Sequence, residues 1–308
     1  MKIHASIGTF RQLEILLAVY DSGTVKQAAE YLHLTQPTIS IQLKKLSDAV
    51  GMPLYEQVGK KLLFTEAGEK VASAARDILQ RTDMLDMELS DLRGLKTGTL
   101  KLAVVTTSKY FIPHLLGPFC KRYPNVEIEF NVGNRQQILQ KLDKGHDDFY
   151  VFSNLPERDD IITIDFLDNP LVAIAPEDHP LAGKRSIDLA RFAQEPFLIR
   201  EKGSGTRFAT EHYLKTRKTS LNVRMTIESN EAIKHSVMSG LGVSILSKHT
   251  LTFGESKGLE VLDIKQFPIP SQWFLVRRKA KYFSPIAKTF LQFIESEGRE
   301  ALMQELRK

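Results

Sequence analysis

Thr35-Gln36-Pro37-Thr38-Ile39-Ser40-Ile41-Gln42-Leu43-Lys44-Lys45-Leu46 is the stretch that decides how the N-terminal part of the chain folds. Ile39, Leu43, Leu46 and Val50 recur at three- and four-residue spacing, one apolar stripe of a helix. Thr35 is placed to cap that helix. Pro37 falls in its first turn, where an N–H has no intrahelical acceptor to lose. Gly51 ends it. Thr38, Ile41, Gln42 and Lys45 then fall largely outside the buried stripe. A short helix with leucines on one side and amides and hydroxyls on the other suits entry of its head into a DNA major groove. Gln36 and Gln42 each carry the paired donor and acceptor that can read a base edge. Ser40 can bond a phosphate or a base, and Ile41 can meet a thymine methyl.

Upstream, Val25, Ala28, Ala29 and Leu32 form a second helical stripe behind Thr24 as cap, with Gln27 as its capping-box partner. Small alanines let a crossing helix come close. A four-residue spacer centred on His33-Leu34 separates this helix from the next. Further back, Phe10, Leu13, Leu16, Leu17 and Tyr20 give a first helix capped by Thr9 and broken at Gly23. Two short helices at a sharp turn, the second with an exposed polar face, form a helix-turn-helix. A generic three-helix bundle would show the same stripes. Downstream, Pro53-Leu54-Tyr55 leads into Glu56-Gln57-Val58-Gly59-Lys60-Lys61-Leu62-Leu63-Phe64-Thr65, which reads as strand, turn and strand: a wing. Its tip lysines, Lys60 and Lys61, suit backbone phosphates and supply affinity rather than base choice. A solvated hairpin tip would carry lysines as well.

Charge alone would not pick out this end. Residues 1–65 hold seven Lys/Arg against five Asp/Glu, although the chain as a whole carries +5 and has a pI near 9.1. That balance permits a nucleic-acid partner without requiring one. With 308 residues, 42% of them hydrophobic, the chain can bury two or three cores. No run approaches eighteen apolar residues, and the first eight lack a secretory apolar core, so no membrane association is expected. Cys120 is the sole cysteine and permits no intrachain disulfide. Together these place the chain in the cytoplasm.

Thr65 caps a long helix to about Leu92. Val71, Ile78, Leu85 and Leu92 fall seven apart, with Ala75, Thr82 and Leu89 as a second track. Such a seam wants a partner. A second copy is the simplest, although Ala75 and Thr82 weaken the seam and leave packing within the chain open. Two copies would present two reading helices to an inverted-repeat operator. Arg93-Gly94-Leu95-Lys96-Thr97-Gly98-Thr99 makes the hinge behind it.

Beyond the hinge, strands and helices alternate: Leu100–Val105, a helix over Tyr110–Arg122, Val126–Val132, a helix over Arg135–Lys144, and Phe149–Phe152. This argues a mostly parallel sheet. Ile161–Phe166 and Leu171–Ala175 flank Asn169-Pro170, a crossing into a second lobe. That lobe holds Phe197–Arg200, a helix over Thr206–Thr216, Val223–Ile227, a helix opened by Ser229-Asn230-Glu231, a buried strand after Gly242, and Val261–Ile264. Pro268 and Pro270 mark the return, Trp273–Val276 rejoins the first lobe, and an amphipathic helix from Ser284 to about Glu297 closes it on Ile286, Phe290 and Phe293. The domains are then 1–65, a DNA-binding head; 66–95, a linker and dimerisation helix; and 96–308, a two-lobed body (lobe I 96–167 and 271–308, lobe II 168–270).

Ligands of such sheets bind outside the strand C-terminal ends. Thr106, Thr107, Ser108 and Lys109 sit at one such end, where hydroxyls and N–H groups suit an anion. Glu201, Lys202, Gly203, Ser204, Gly205, Thr206 and Arg207 form a second loop, with glycines for close approach and hydroxyls for an anion; Lys109, Arg200, Lys202 and Arg207 can make the cleft positive. Ser229 and Asn230 head the opposing helix, and Asn169 marks the crossing. A Gly-Ser-Gly-Thr string is by itself an ordinary turn; its place between strand and helix is what singles it out.

Nothing points to an enzyme. There is no nucleophile elbow, P-loop or zinc helix motif. Cys120 reads as helix packing, His114, His146, His179, His235 and His249 lack metal-ligand spacing, and Asp147-Asp148 and Asp159-Asp160 read as loop charges. A solute-binding body fused to a protein-interaction head would share the cleft but would not need Gln36, Ser40, Lys60 and Lys61 at a groove. A regulator whose cleft is purely structural is a further alternative.

The head resembles the LysR-type transcriptional regulators. The resemblance is carried by Phe10-Arg11-Gln12-Leu13, Ala28-Ala29, Leu34-Thr35-Gln36-Pro37-Thr38-Ile39-Ser40, Gln42-Leu43, Leu46, Pro53-Leu54-Tyr55 and Leu63-Phe64-Thr65-Glu66-Ala67-Gly68. The body resembles that family's periplasmic-binding-protein-like effector domain. Within the family the chain is most similar to the CbbR group, regulators of carbon-fixation genes, through Glu56–Lys61, Val104–Phe111, Asn131–Arg135, Gly203–Arg207 and Ser229–Lys234. The resemblance implies a winged helix-turn-helix, a linker helix and a two-lobed α/β effector domain. It implies no cofactor, a small phosphorylated metabolite as effector, double-stranded DNA and RNA polymerase as partners, and a dimer or dimer of dimers. The DNA contacts it implies fall on Thr35, Gln36, Pro37, Thr38, Ser40, Ile41, Gln42, Lys45, Gln57, Lys60 and Lys61. Ile41 and Gln57 stand where the wider family often has arginine. Regulation of another metabolic operon, with a different effector or none, fits the same resemblance.

Overall fold

The computed structural model describes residues 8–58, 61–92, 96–254 and 256–306. The chain divides into two compact units, Met1–Leu92 and Arg93–Lys308. Of the hinge expected over residues 93–99, residues 93–95 lie outside the described residues and Gly98 and Thr99 begin β3.

In the first unit, α1 (Phe10–Ser22), α2 (Val25–Tyr31) and α3 (Gln36–Val50) each start behind a threonine. Thr9, Thr24 and Thr35 accept from the backbone N–H three residues on, each such cap being worth about 1 kcal/mol. Thr9 and Gln12 form a full capping box. At α2 the Thr24 hydroxyl also donates to Gln27 Oε1 at 3.0 Å. The head core joins Leu13, Ile15, Leu16 and Val19 to Ala28, Ala29, Ile39, Leu43 and Leu46, and to Ala72 and Ala75 of α4 (Glu66–Leu92). Phe10 departs from expectation and is exposed, while Ile15 and Val19 are buried. The cause is that α1 packs against α4 as well as α2 and α3, so its buried arc is wider than one stripe and begins after the first turn.

β1 (Tyr55–Val58) and β2 (Lys61–Phe64) pair antiparallel, Tyr55 opposite Phe64, and form the wing. Thr65 ties its root: the hydroxyl donates to Pro53 O at 2.7 Å and accepts from Gly68 N at 3.0 Å. A Cβ at Gly68 would lie 1.9 Å from Leu54 O, so only glycine lets α4 start this close to the strand. The heptad track of α4 divides in two. Val71, Ala75 and Ile78 pack on the head core, whereas Leu85, Leu89 and Leu92 are exposed.

The second unit runs β3 (Gly98–Val105), a 3-10 turn (Thr106–Tyr110), α5 (Ile112–Arg122), β4 (Val126–Gly133), α6 (Arg135–Lys144), β5 (Phe149–Phe152) and β6 (Ile161–Asp168). It then crosses to β7 (Leu171–Pro176), α7 (Leu189–Phe192), β8 (Pro196–Arg200), α8 (Gly205–Thr216), β9 (Asn222–Ile227), α9 (Asn230–Met238), β10 (Ser244–Ser247), α10 (His249–Thr252) and β11 (Leu259–Leu262). It returns through β12 (Gln272–Arg278) to α11 (Pro285–Phe293), a π turn (Ile294–Gly298) and α12 (Arg299–Glu305). Lobe I is the sheet β4-β3-β5-β12-β6, with β3 parallel to β4 and β5 and β12 antiparallel to both neighbours. Lobe II holds β10-β7-β11, antiparallel, beside the parallel pair β8-β9, and a bridge from Phe197 to Val243 joins the two sets. In each lobe one strand, β12 or β7, runs against the rest.

The crossings are paired to each other. Asn169 N donates to Ser271 O at 2.9 Å, and Leu171 and Ile269 exchange bonds of 3.0 and 2.9 Å. The helix expected from Tyr110 begins instead at Ile112, because a 3-10 turn intervenes and Pro113 sets the first α turn. The strand expected over Val261–Ile264 is β11, two residues earlier, and Ile264 makes a separate bridge to Ile187. Asp147 and Asp148, read as loop charges, are buried. Asp148 accepts from Lys101 N at 2.9 Å and pairs with Lys281 at 3.2 Å, so it pins β3 to the segment after β12. Burial pushes the Asp147 carboxyl up, against the pull of Lys141, Lys281 and Asn131.

Candidate DNA-reading surface and ligand cleft

On the head, α2, the start of α3 and the wing enclose an open groove of about 1130 Å³, lined by Gln27, Gln36, Pro37, Ser40, Tyr55 and Gln57 among others. Gln36, Pro37, Ser40, Ile41 and Lys45 are exposed on α3, and Gln57 on β1. Ile41 is 54% exposed, which for an isoleucine on a helix leaves its apolar surface facing outward. Three expected contacts are already engaged within the head. Thr35 and Thr38 share a 2.8 Å hydroxyl bond at the helix cap. Gln42 Oε1 accepts from Gln12 Nε2 at 3.0 Å, which ties α3 to α1 and leaves its NH₂ as the amide half not used in that bond. Gln36 and Ser40, one turn apart, are the pair on the open face. Lys60 lies outside the described residues, as does the side chain of Lys61.

In the body, the cleft between the lobes is lined by Val105, Thr106, Thr107, Arg135, Phe152, Ser153, Asn154, Arg200, Glu201, Ser204, Gly205 and Thr206. Its volume is about 20 Å³, room for a water at most. The lobes are closed on each other by named bonds. Arg200 Nη2 reaches Thr106 Oγ1 at 3.4 Å, and Asn230 Nδ2 donates to Thr107 Oγ1 at 3.1 Å. The Tyr110 hydroxyl donates to Glu231 Oε1 at 2.5 Å. Behind Glu231, Lys234 is fully buried, 3.0 Å from its other oxygen and 5.5 Å from the Tyr110 ring. Burial and the Glu231 carboxylate push the Tyr110 hydroxyl up, so it stays a donor. Burial alone would raise Glu231, but the bonds from Tyr110 and Lys234 hold it below the usual carboxylate range. A Cβ at Gly205 would sit 2.2 Å from Ser153 Oγ; glycine there lets lobe II touch lobe I.

The residues named from sequence divide. Thr106, Thr107, Arg200, Ser204, Gly205 and Thr206 converge on the cleft. Ser108 turns its hydroxyl back to Val105 O at 2.7 Å. Asn169 is buried at the crossing, 3.5 Å from Ser271 Oγ. Ser229 caps α9 by accepting from Ala232 N, with Asn230 behind it reaching the cleft. Lys109, Lys202 and Gly203 are exposed and do not line the cavity. Arg207 pairs with Glu211 at 2.7 Å and donates to Arg200 O at 3.0 Å. Arg135, Phe152, Ser153 and Asn154 were not singled out as cleft residues, and Glu201, though within the expected loop, was given no role there. The signal for Arg135 was available: it opens the helix after the C-terminal end of β4, the kind of position that marked Thr106.

No group of His, Cys, Asp and Glu among the described residues could hold a metal ion. No helix among them is long and apolar enough to cross a membrane. Cys120 is half-buried, and burial pushes its thiol up, the opposite of what a nucleophile needs.

A winged helix-turn-helix head with α3 exposed, and a two-lobed α/β body with an arginine-bearing cleft, are the architecture of a DNA-binding regulator with an effector-type domain. Comparison narrows the class. Residues 10–69 match the bacterial regulatory helix-turn-helix protein, lysR family, and residues 93–299 match the LysR substrate binding domain. The chain belongs to the LysR family of transcription regulators. It is 46% identical over 287 residues to the HTH-type transcriptional activator CmpR of Synechocystis sp., covering 93% of this chain and 94% of that protein. It is 42% identical over 287 residues to the RuBisCO operon transcriptional regulator of Acidithiobacillus ferrooxidans, covering 93% of each. The regulatory domain of Synechocystis PCC6803 CcmR, solved in complex with 2-PG, aligns with a TM-score of 0.61 at 44% identity over 64% of this chain and 96% of that domain.

Proposed function

We propose that this regulator controls carbon-fixation genes, that it binds an inverted-repeat operator as a homo-oligomer, and that a small phosphorylated metabolite held between its lobes sets its activity. The observation that carries the reading is the likeness, over nine-tenths of the chain, to regulators of the RuBisCO operon, joined to a relative's regulatory domain that holds 2-PG. Gln36 and Ser40 read bases at the head of α3, Lys45 and the wing lysines meet phosphates, and Ile41 meets a thymine methyl. The exposed Leu85, Leu89 and Leu92 of α4 supply an apolar stripe for a second copy. RNA polymerase is the further partner that such an assembly would recruit.

A ligand shifts the body only so far as it binds one lobe arrangement better than another. Polar groups from both lobes support such a difference: Thr106 and Thr107 from one, Arg200 and Thr206 from the other. Footprinting on the DNA beside the chain's own gene, with and without 2-PG, tests the reading. The expected result is protection of an inverted repeat whose extent changes with ligand. A protein that shows no preference for any duplex in a genome-wide selection would end it.

A further inference from the structure

Two arginines line the cleft, and their surroundings differ. Every nitrogen of Arg200 already donates. Nε and Nη2 form a forked pair with the Glu201 carboxylate at 2.8 and 2.9 Å, Nη2 also reaches Glu228 O at 3.1 Å, and Nη1 bonds Asn230 Oδ1. The side chain is 2% exposed. Arg200 is thus neutralised by Glu201 and has a bond on every nitrogen, most of them within its own lobe.

Arg135, on the facing lobe, is not. Its Nη2 donates to Asn154 O at 3.2 Å and its guanidinium lies 5.8 Å from the centre of the Phe152 ring. Among the described residues it pairs with no carboxylate. One carbonyl occupies one of five N–H donors, and the ring steadies the plane of the group. Desolvation pulls its pKa below the usual guanidinium value, as expected for a half-buried cation without a counter-charge. Opposite it, α8 begins at Gly205 with no side-chain cap from Ser204, so the first N–H groups of a twelve-residue helix border the same cavity.

We propose that Arg135 is the residue that receives the oxyanion of the cleft's ligand, and that Glu201 holds Arg200 back as a structural cation. This rests on the reading of the cleft as a metabolite site. The ligand class is a small molecule with a phosphate or carboxylate group that fits a forked guanidinium on lobe I and helix N–H groups on lobe II. An anion so held bonds both lobes at once. It therefore favours one lobe spacing, wider than the present cleft with its room for a single water, over others, which is the differential affinity a switch requires. The hydroxyls of Thr106 and Ser153 border the same space and can donate to the remaining oxygens.

Calorimetric titration of the full chain with 2-PG and with inorganic phosphate tests the assignment. Arg135→Gln should weaken 2-PG binding about 10- to 100-fold, the usual worth of a charged bidentate contact. Arg135→Lys, which keeps the charge and loses the fork, should restore part of it. Thermal melting of both variants near the wild-type temperature is expected, since among the described residues Arg135 makes a single hydrogen bond, to Asn154 O. Wild-type affinity for 2-PG in Arg135→Gln would overturn the assignment while leaving the cleft a ligand site. Failure of the wild-type chain to bind either probe would bring down the cleft reading and this proposal with it.

Discussion

Gln36 is the side chain proposed to carry base choice. It sits exposed at the head of α3. Gln36→Ala should reduce preference for the operator over random DNA by roughly 1–3 kcal/mol, read as the ratio of affinities in competition binding. In the body, Glu201→Ala would leave the buried Arg200 guanidinium without its counter-charge. A loss of about 3 kcal/mol in unfolding free energy is expected from urea denaturation. His249 sets a pH dependence. Burial lowers its pKa from 6.5 to about 4, with Lys248 adding to the shift and Asp168 opposing it. The neutral Nδ1 accepts from Trp273 Nε1 at 3.1 Å. Between pH 6.5 and 4 the unfolded chain takes up a proton that the folded chain refuses, so stability is full above that window and falls as pH falls through it. The loss is on the order of 3 kcal/mol at the lower end, and melting against pH should show it in the wild type and much less of it in His249→Gln. Sequence pattern revealed Arg200, Thr106 and Thr107 because they sit at strand ends. It did not reveal Glu201 as the partner of Arg200, since adjacency in sequence does not say that two side chains fold back on each other. Nor did it show that Gln42 would bond to Gln12, thirty residues away.

Among the elements, the helices and strands of both units were legible from their stripes and caps, because threonine caps and three- and four-residue spacing act locally. The departures have tertiary causes. The exposed Phe10 and the buried Ile15 follow from a fourth helix packing on α1, which no window of α1 itself contains. The short helices α7 and α10 have only four residues each, too few to show a period. Asp147 and Asp148 look like loop charges, but both are buried, and Asp148 pairs with Lys281. The split seam of α4 carries its own test. Leu89 is 46% exposed and lies beyond the part that packs on the head. Leu89→Glu should weaken self-association in sedimentation experiments by at least tenfold in concentration, about 1.4 kcal/mol, while the helical content of the chain stays unchanged. An unaltered sedimentation profile would show that the copies meet elsewhere.

At the scale of the whole chain, two cores are built from one sequence by different rules. The head uses small alanines and close helices; the body uses two sheets, each with one reversed strand. Those reversed strands, β7 and β12, are the ones that begin where the chain changes lobes, and their connections run side by side, bonded at Asn169–Ser271 and Leu171–Ile269. A two-ply ribbon of this kind resists stretching and sideways slip, because either motion breaks both pairings together, but it bends with little loss. The lobes are therefore restricted to something near a single swing. Whatever fills the space between them, its size and charge are translated into one coordinate, an angle, and a larger or smaller guest would read out as degrees of opening rather than as a different kind of movement.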